Sequence, residues 1–511
     1  MKSNDHLFRL DENRLEIKNE YGVKVLLFAN EEVPIENAAV QELIDMLEIQ
    51  QTAKSFYKAS PESFDEEPEI SRVAVTPDFH KAKGIPVGTV LATKGFIVPQ
   101  AIGNDVNCGM RLHTTSLQAE QVVHSKDPLE KTFRYLFFEG GRNIPMTREQ
   151  REAMLTNGLT GLYAATPKNL TEGLWQAYHR MDMESDLLKI ENRGSLVAEQ
   201  IFGLDDFLGI KGQYTRDSQI GSIGGGNHFV EIQYVKKVLE GTTAHAWGIT
   251  EGMVTVMVHT GSVSIGHLSG NYYRDLIRKI YPGTNKYPQN GIFILPNGEK
   301  FQSESKLFWD SLSNAGNFAF ANRLFLAIMA WEGLRKVCGD TDFSLLYDAP
   351  HNFLWKQKDE KGAQINIHRK GACPARDMSA MTGTPFEYFG EPVLVPGSMG
   401  ASSFILAGQG NNEALNSASH GAGRTLSRGQ STKGNEEAFH QFLEQFRIVT
   451  PIDLNRQDVK QRRDIVERKL SELKQEAPFA YKGIGPVVKT LTDSGIARPV
   501  AELEPIMTIK G

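Results

Sequence analysis

The most constraining feature of this sequence is a repeated juxtaposition. Short apolar β-like runs stop at glycine, and a cysteine, aspartate or histidine stands beside the stop. It occurs at Asp105-Val-Asn-Cys108-Gly, at Gly-Gly-Gly-Asn227-His228, at His259-Thr-Gly-Ser and at Ser-His420-Gly-Ala-Gly. His351 in Ala-Pro-His351-Asn352 follows the strand-like run LLYD in the same way as His259 follows VTVMV. Between Arg72 and His113 the runs RVAVTPDFH, GIPVGTVLAT, GFIVPQAIG and MRLHT suit strands of a compact sheet.

Helical stretches are interleaved with these runs. A strand at KVLLFA precedes a helix over Glu36–Gln51, where Ala39, Leu43, Met46 and Leu47 fall at three- and four-residue spacing. An acidic loop, PESFDEEPE, follows. Residues 129–210 read as mainly helical, 216–235 and 252–266 as strand and glycine turn, and Lys306–Val337 as one long helix. Strand-like LLYDAPHNFLW and SSFILAG flank a turn-rich passage, and the tail from 435 holds two helices, one of them the charged DVKQRRDIVERKLSELKQE. The fold class is mixed α+β.

Composition narrows the functional classes. The 511 residues carry a formal net charge of −6, so any nucleic-acid binding has to come from a local basic surface. Three scattered cysteines, Cys108, Cys338 and Cys373, do not make a disulfide framework and fit a reducing compartment. The N-terminal stretch lacks the apolar core of a signal peptide. The longest apolar run, Leu324 to Trp331, is far short of the ~20 residues needed to cross a bilayer. The expectation is a cytoplasmic protein with no membrane partner.

Chemistry can be read from the clusters themselves. A carboxylate and a thiol three residues apart can face one ion, and with imidazole they would suit Zn²⁺, Mn²⁺ or Fe²⁺ alike. The turn before His228 lacks the Gly-Lys-Ser/Thr ending of a phosphate-binding P-loop. In HFVEI, alternation puts His228, Val230 and Ile232 on one face and Phe229 and Glu231 on the other. His420 lies among small residues that leave room for a ligand, with Arg424 and Arg428 nearby for phosphate. An imidazole nitrogen can form a phosphoramidate, which makes His420 a candidate nucleophile. Pro396-Gly-Ser398-Met-Gly-Ala-Ser-Ser403 offers hydroxyls and backbone N–H groups in the same style. No zinc-protease, serine-hydrolase or kinase signature competes. The residues alone point to a metal-dependent enzyme acting on a phosphorylated substrate.

The segments TPDFHKAKGIPVGTVLAT, DVNCGM, GGGNHFVEI, HTGS, NAGNFAFANR, PHN, HRKGA, PGSMGASSFILAG and SHGAGRTLSR together resemble the RtcB family of RNA ligases. The likeness runs from about Arg72 to Lys510-Gly511. It implies one large catalytic domain over 71–511, with mixed sheets flanked by helices around a deep metal-binding cleft, and residues 1–70 packed on it as a strand/helix segment. It also implies a reaction: RNA 3′-phosphate or 2′,3′-cyclic phosphate ends joined to 5′-hydroxyl ends, at the expense of GTP.

By the same resemblance Asp105, Cys108, His228, His259 and His351 would bind two Mn²⁺ ions, with Cys108 bridging, and His420 would carry GMP. Asn227, Glu231, Asn352, Ser398, Ser403, Tyr481 and Lys510 match guanylate-binding positions, and Lys370 and Arg428 match RNA-phosphate contacts. Asp78 matches an active-site carboxylate. A monomer is expected, and an activating protein partner is compatible with the resemblance.

Three departures from the family pattern bear on RNA ends. Val263 stands where an arginine is usual, Cys373-Pro374 replaces Thr-Arg, and Gly483 follows Lys482 where an aspartate is usual. The missing arginine keeps guanylyl capping of 3′-phosphates without sealing open, and a non-catalytic RNA-binding paralogue stands as a second alternative. A zinc hydrolase independent of GTP is a third.

Overall fold

The β-like runs pair into two large sheets in the computed structural model, which describes residues 6–281, 288, 290–359, 362–454 and 456–511. One sheet has seven strands, in the spatial order Leu7–Arg9, Arg14–Ile17, Val25–Phe28, Glu69–Lys83, Ile85–Lys94, Gln364–Lys370, Asn352–Lys358. The other has eight. Seven follow in the order Phe343–Pro350, Gly109–Gln118, Met253–Thr260, Phe229–Val238, Ala497–Ile509, Ser403–Gly408, Pro392–Val395, and Arg447–Val449 pairs in parallel with Ala497–Ile509. The α+β class expected from the sequence is the class observed.

Four adjacent antiparallel strands of the larger sheet explain how distant residues meet. Pro350 pairs with Gly109, Gly109 with Thr260, and His259 with Phe229. Antiparallel neighbours bring the end of one strand beside the start of the next. His351 just after the first strand, Cys108 just before the second, His259 near the end of the third and His228 just before the fourth therefore lie at one edge. His351 is also the single residue between Pro350 in the larger sheet and Asn352 in the smaller one.

The helix Gln302–Cys338, 37 residues and so about 55 Å long, backs this sheet. It is apolar all round its middle, and Phe308, Leu312, Phe318, Leu324 and Leu334 have no exposed surface. A helix with that pattern belongs inside the molecule. Its buried polar residues hold neighbouring loops: the Asn317 amide donates to Leu155 O (2.9 Å) and Leu196 O (2.6 Å), and the Asn322 amide to Ser222 O (2.9 Å) and Gly261 O (3.2 Å).

Three local expectations are corrected. The helix expected over Glu36–Gln51 is two helices, Asn37–Met46 and Ile49–Ala59, broken at Leu47-Glu48. The glycine turn after His259 opens directly into the helix Val263–Ile280. The tail holds, besides its helices, the strand Ala497–Ile509 in the interior of the eight-stranded sheet. Pro499 and Pro505 disguise that strand in the sequence, and the pairing accommodates Pro505 with a register shift between Pro505 and Met507.

Candidate metal centre and reactive histidine

Cys108 Sγ lies 3.3 Å from His228 Nε2 and 3.4 Å from His259 Nε2. His259 Nε2 is 3.3 Å from His351 Nε2, and His228 Nε2 is 3.1 Å from Asp105 Oδ2. Two groups emerge, Cys108–His259–His351 and Asp105–Cys108–His228, and the thiol is common to both. His267, the second histidine of its segment, is exposed and outside the cluster.

The ring contacts decide which nitrogens are free. His228 Nδ1 faces Ile223 O at 3.1 Å and His259 Nδ1 faces Asn227 O at 3.1 Å. A carbonyl only accepts, so both Nδ1 atoms carry a proton, and a neutral ring then presents its lone pair at Nε2. Burial pushes His259 and His351 well below the ordinary histidine range, which keeps these rings neutral. Asp105 Oδ2 is buried and faces His228 Nε2. With His259 and His351 neutral, the cluster turns imidazole lone pairs, a sulfur and a carboxylate toward one another, which is the donor set of a cation site. Burial, with the Asp105 carboxylate second, pushes the Cys108 thiol up, as expected of a ligand that loses its proton only to a cation. Thiolate, imidazole and carboxylate at these separations fit one or two divalent metal ions.

The turn that carries Asp105 and Cys108 is held from behind. Arg323 is fully buried and donates to Asn107 O (2.6 Å), Asn107 Oδ1 (3.0 Å) and Thr260 O (3.0 Å), while Asp348 takes its charge at 2.8 Å. One guanidinium thus ties the Cys108 turn to the strand end that bears His259. Gly261 has to be glycine, because a Cβ there would lie 2.5 Å from Asp105 Oδ2 and 2.7 Å from Cys108 Cα.

Val263 donates its N–H to Asp105 Oδ1 at 2.8 Å from a left-handed backbone, φ +49°. For a β-branched residue that conformation costs about 1–3 kcal/mol. Asparagine tolerates it, so Val263→Asn is expected to raise the thermal unfolding midpoint by on the order of 1 °C. A lower midpoint in a calorimetric scan would contradict this account of the turn.

His420 sits beside the metal cluster, its ring centroid 4.7 Å from that of His351. Its Nδ1 meets Asp78 Oδ2 at 2.5 Å, and Asp78 Oδ1 accepts the Thr76 hydroxyl at 2.5 Å. Burial works to raise the Asp78 carboxyl, but His420 and Thr76 outweigh it and hold the carboxyl below its usual range. Asp78 is thus an ionised acceptor that fixes the proton on Nδ1 and leaves Nε2 as the other ring nitrogen. It lies in an irregular stretch of its strand, where the pairing skips from Val75 to His80. Lys482 closes that stretch by donating to Pro77 O (3.0 Å) and Phe79 O (2.6 Å).

A cavity of about 1470 Å³ opens over both features, and Asn227, Glu231, Asn352, Ser398, Tyr481, Lys510, Lys370 and Arg428 line it. Ser403 is not among the lining residues. Its hydroxyl accepts from Gly397 N–H (3.2 Å) and the Gln233 amide (3.0 Å), bracing the loop that presents Ser398. Burial raises Glu231 to about 7 and lowers Lys510 and Lys370 to about 8 each. Asn352 Oδ1 accepts from Gly371 N–H at 2.8 Å.

Arg424 is occupied by Leu426 O (3.0 Å), Gln475 O (2.7 Å) and Glu476 Oε2 (3.1 Å), so Arg428 is the more exposed of the two arginines read as phosphate candidates. Glu476 gathers Arg424, Arg428 (3.2 Å) and the Tyr481 hydroxyl, and sequence reasoning missed it. Arg323 was noticed only as the end of a helical motif. A lone charged residue in a helix gives no sign in sequence of a task performed across the core.

The family model described as tRNA-splicing ligase RtcB matches residues 64–511. The protein of that name from Thermococcus kodakarensis is 33% identical over 460 residues, covering 86% of this chain and 87% of its own length. Those of Archaeoglobus fulgidus, over 460 residues, and Pyrobaculum aerophilum, over 457, are each 31% identical, with 86% of this chain and 87% of their own length covered.

Proposed function

The chain belongs to the RtcB family, and from that premise we propose that it is an RNA ligase joining 3′-phosphate or 2′,3′-cyclic phosphate ends to 5′-hydroxyl ends with GTP and Mn²⁺. The observation that carries the reading is the pairing of His420 with Asp78 beside a thiolate–imidazole cluster. A metal hydrolase could use such an imidazole as a general acid or base, but it would act without GTP, and labelling with GTP separates the two.

A 3′-phosphate is a poor electrophile, since its charge repels a nucleophile and oxide is a bad leaving group. Activation supplies the leaving group. His420 Nε2 attacks the α-phosphorus of GTP, the N–P bond forms and pyrophosphate departs. Asp78 stabilises the positive charge that grows on the ring. An oxygen of the RNA 3′-phosphate then attacks the same phosphorus, the N–P bond breaks and the guanylate moves to the RNA end. Finally the 5′-hydroxyl oxygen attacks the 3′-phosphorus, loses its proton and displaces GMP. A cyclic phosphate would first be opened by water. Asp105, Cys108, His228, His259 and His351 would hold two Mn²⁺ ions, which when bound neutralise charge on the transferring phosphoryl group.

Glu231 and Lys510 lie deep in the cavity and offer an acceptor and a donor for the guanine edge. Tyr481, with Arg424 4.9 Å over its ring, gives a flat face nearby. Asn227, Asn352 and Ser398 complete the proposed guanylate contacts, Ser403 supports them from behind the Ser398 loop, and Lys370 and Arg428 remain for RNA phosphate.

Incubation with α-labelled GTP and Mn²⁺ should label the protein with an acid-labile bond. Added linear RNA with 3′-phosphate and 5′-hydroxyl ends should become circular. No label would refute the proposal, and RNA halted with guanylate on its 3′ end would make the protein a capping enzyme.

A further inference from the structure

We propose that the helix Val263–Ile280 carries the binding site for the RNA strand that ends in the 5′-hydroxyl, with Arg274 and Arg278 as its phosphate contacts. This rests on the reading of the site as a 3′-phosphate/5′-hydroxyl RNA ligase and names which strand lies where.

The cavity is too large for its nucleotide alone. Small-molecule sites run to roughly 300–1,000 Å³, and this one is about 1470 Å³. It continues past the metal cluster, away from His420. The order of contacts is His420, His351, His259 with Cys108, His228 with Asp105, and then Asn104 and the helix. Among the described residues, eight lysines and arginines line the cavity against five aspartates and glutamates, although the whole chain is at −6. The positive bias is local, as a polyanion site on an acidic protein requires.

Arg274 is the cation best placed in this arm. Its Nη1 donates to Asn104 Oδ1 at 2.7 Å and its Nη2 to Asn271 Oδ1 at 2.8 Å. Both acceptors are neutral, so these bonds aim the guanidinium and leave its charge uncompensated. Asn104 is the residue before Asp105, which puts that charge next to the metal cluster. Arg278 is one turn further, about 6 Å along the axis, and also lines the cavity. Its ion pair with Asp275 is loose, 3.5 Å between half-exposed side chains, and a phosphate would compete with it readily.

The two strands have to approach from different sides. The 3′-phosphate strand must reach the phosphorus on His420, and Lys370 lies near that end, where Gly371 approaches the His420 ring. The arm beyond Asp105 is then left for the strand whose 5′-hydroxyl attacks last. Tyr272 lies on the same helix, 46% exposed and stacked on Phe202 at 5.7 Å, as a surface on which an emerging base could rest.

The proposal is tested by separating the three chemical steps in the full-length Arg274→Ala/Arg278→Ala double variant. His420 labelling by GTP without RNA should match wild type. Guanylate transfer to a 3′-phosphate oligonucleotide should also persist, but sealing should fall at least tenfold, so that the 3′-guanylylated RNA accumulates. Binding of a 5′-hydroxyl oligonucleotide, followed by anisotropy across salt, should lose about 1.4 from its log–log salt slope, as for two single-strand phosphate contacts. The Arg274→Lys/Arg278→Lys variant should seal to within a few-fold of wild type. Normal sealing by the alanine variant, an unchanged salt slope, or a block before guanylate reaches the RNA would each overturn the assignment. Failure of the wild-type protein to label with GTP would instead strike the ligase reading itself.

Discussion

His420→Ala is expected to take no label from GTP and to lose sealing by about 10⁶-fold, the scale on which removal of a covalent nucleophile acts. The loss is so large because no other ring is set up in the same way: His228, His259 and His351 turn Nε2 toward Cys108, Asp105 and one another, and His80, which also lines the cavity, has its Nδ1 on the Asp78 backbone carbonyl and not on a carboxylate. Asp78→Asn grades the same effect. An amide can still meet Nδ1, but it cannot hold the proton there against the nucleophile's needs, and a drop of about 10³- to 10⁴-fold should follow with the fold intact. Both variants should bind metal as wild type does, which Mn²⁺ titration can verify. Label on His420→Ala would place the guanylate on another residue and end this account of the nucleophile.

Cys108→Ser is expected to be nearly as damaging by a different route. The thiol belongs to both groups of candidate ligands, so its loss weakens two positions at once. Supporting residues around a metal typically cost 10- to 100-fold in affinity, and a shared ligand should cost more than about 100-fold. Calorimetric titration with Mn²⁺ gives the affinity and the number of sites. Two sites in the wild type and at most one weak site in the variant are expected. Two undiminished sites in the variant would rule out a sulfur shared between ions. Guanylylation should fail in parallel, although Asp78 and His420 are untouched.

The parts of the site legible in the sequence were those with dense local signals. Glycine beside a ligand-type residue marked Cys108, His228, His259 and His420 because close approach leaves no room for a Cβ, as Gly261 demonstrates against Asp105. The long helix was legible because an apolar surface all round leaves only the interior. What escaped depended on register and on partners far along the chain. Alternation set His228 opposite Glu231, yet both line the cavity, because His228 belongs to the turn before its strand begins at Phe229. Asp78 showed only as a letter in a motif, since its partner lies 342 positions away. The strand Ala497–Ile509 hid behind two prolines, and nothing local to Arg323 says that it braces two turns.

The position of that hidden strand bears on the order of events when the protein is made. Ala497–Ile509 sits between Phe229–Val238 and Ser403–Gly408. Until it leaves the ribosome, each of those two strands has one side of its backbone unmatched, and one of them begins beside His228. Such unsatisfied edges are where chains pair with the wrong neighbour. Synthesis thus carries an interval in which both flanking strands have been made but the larger sheet cannot close.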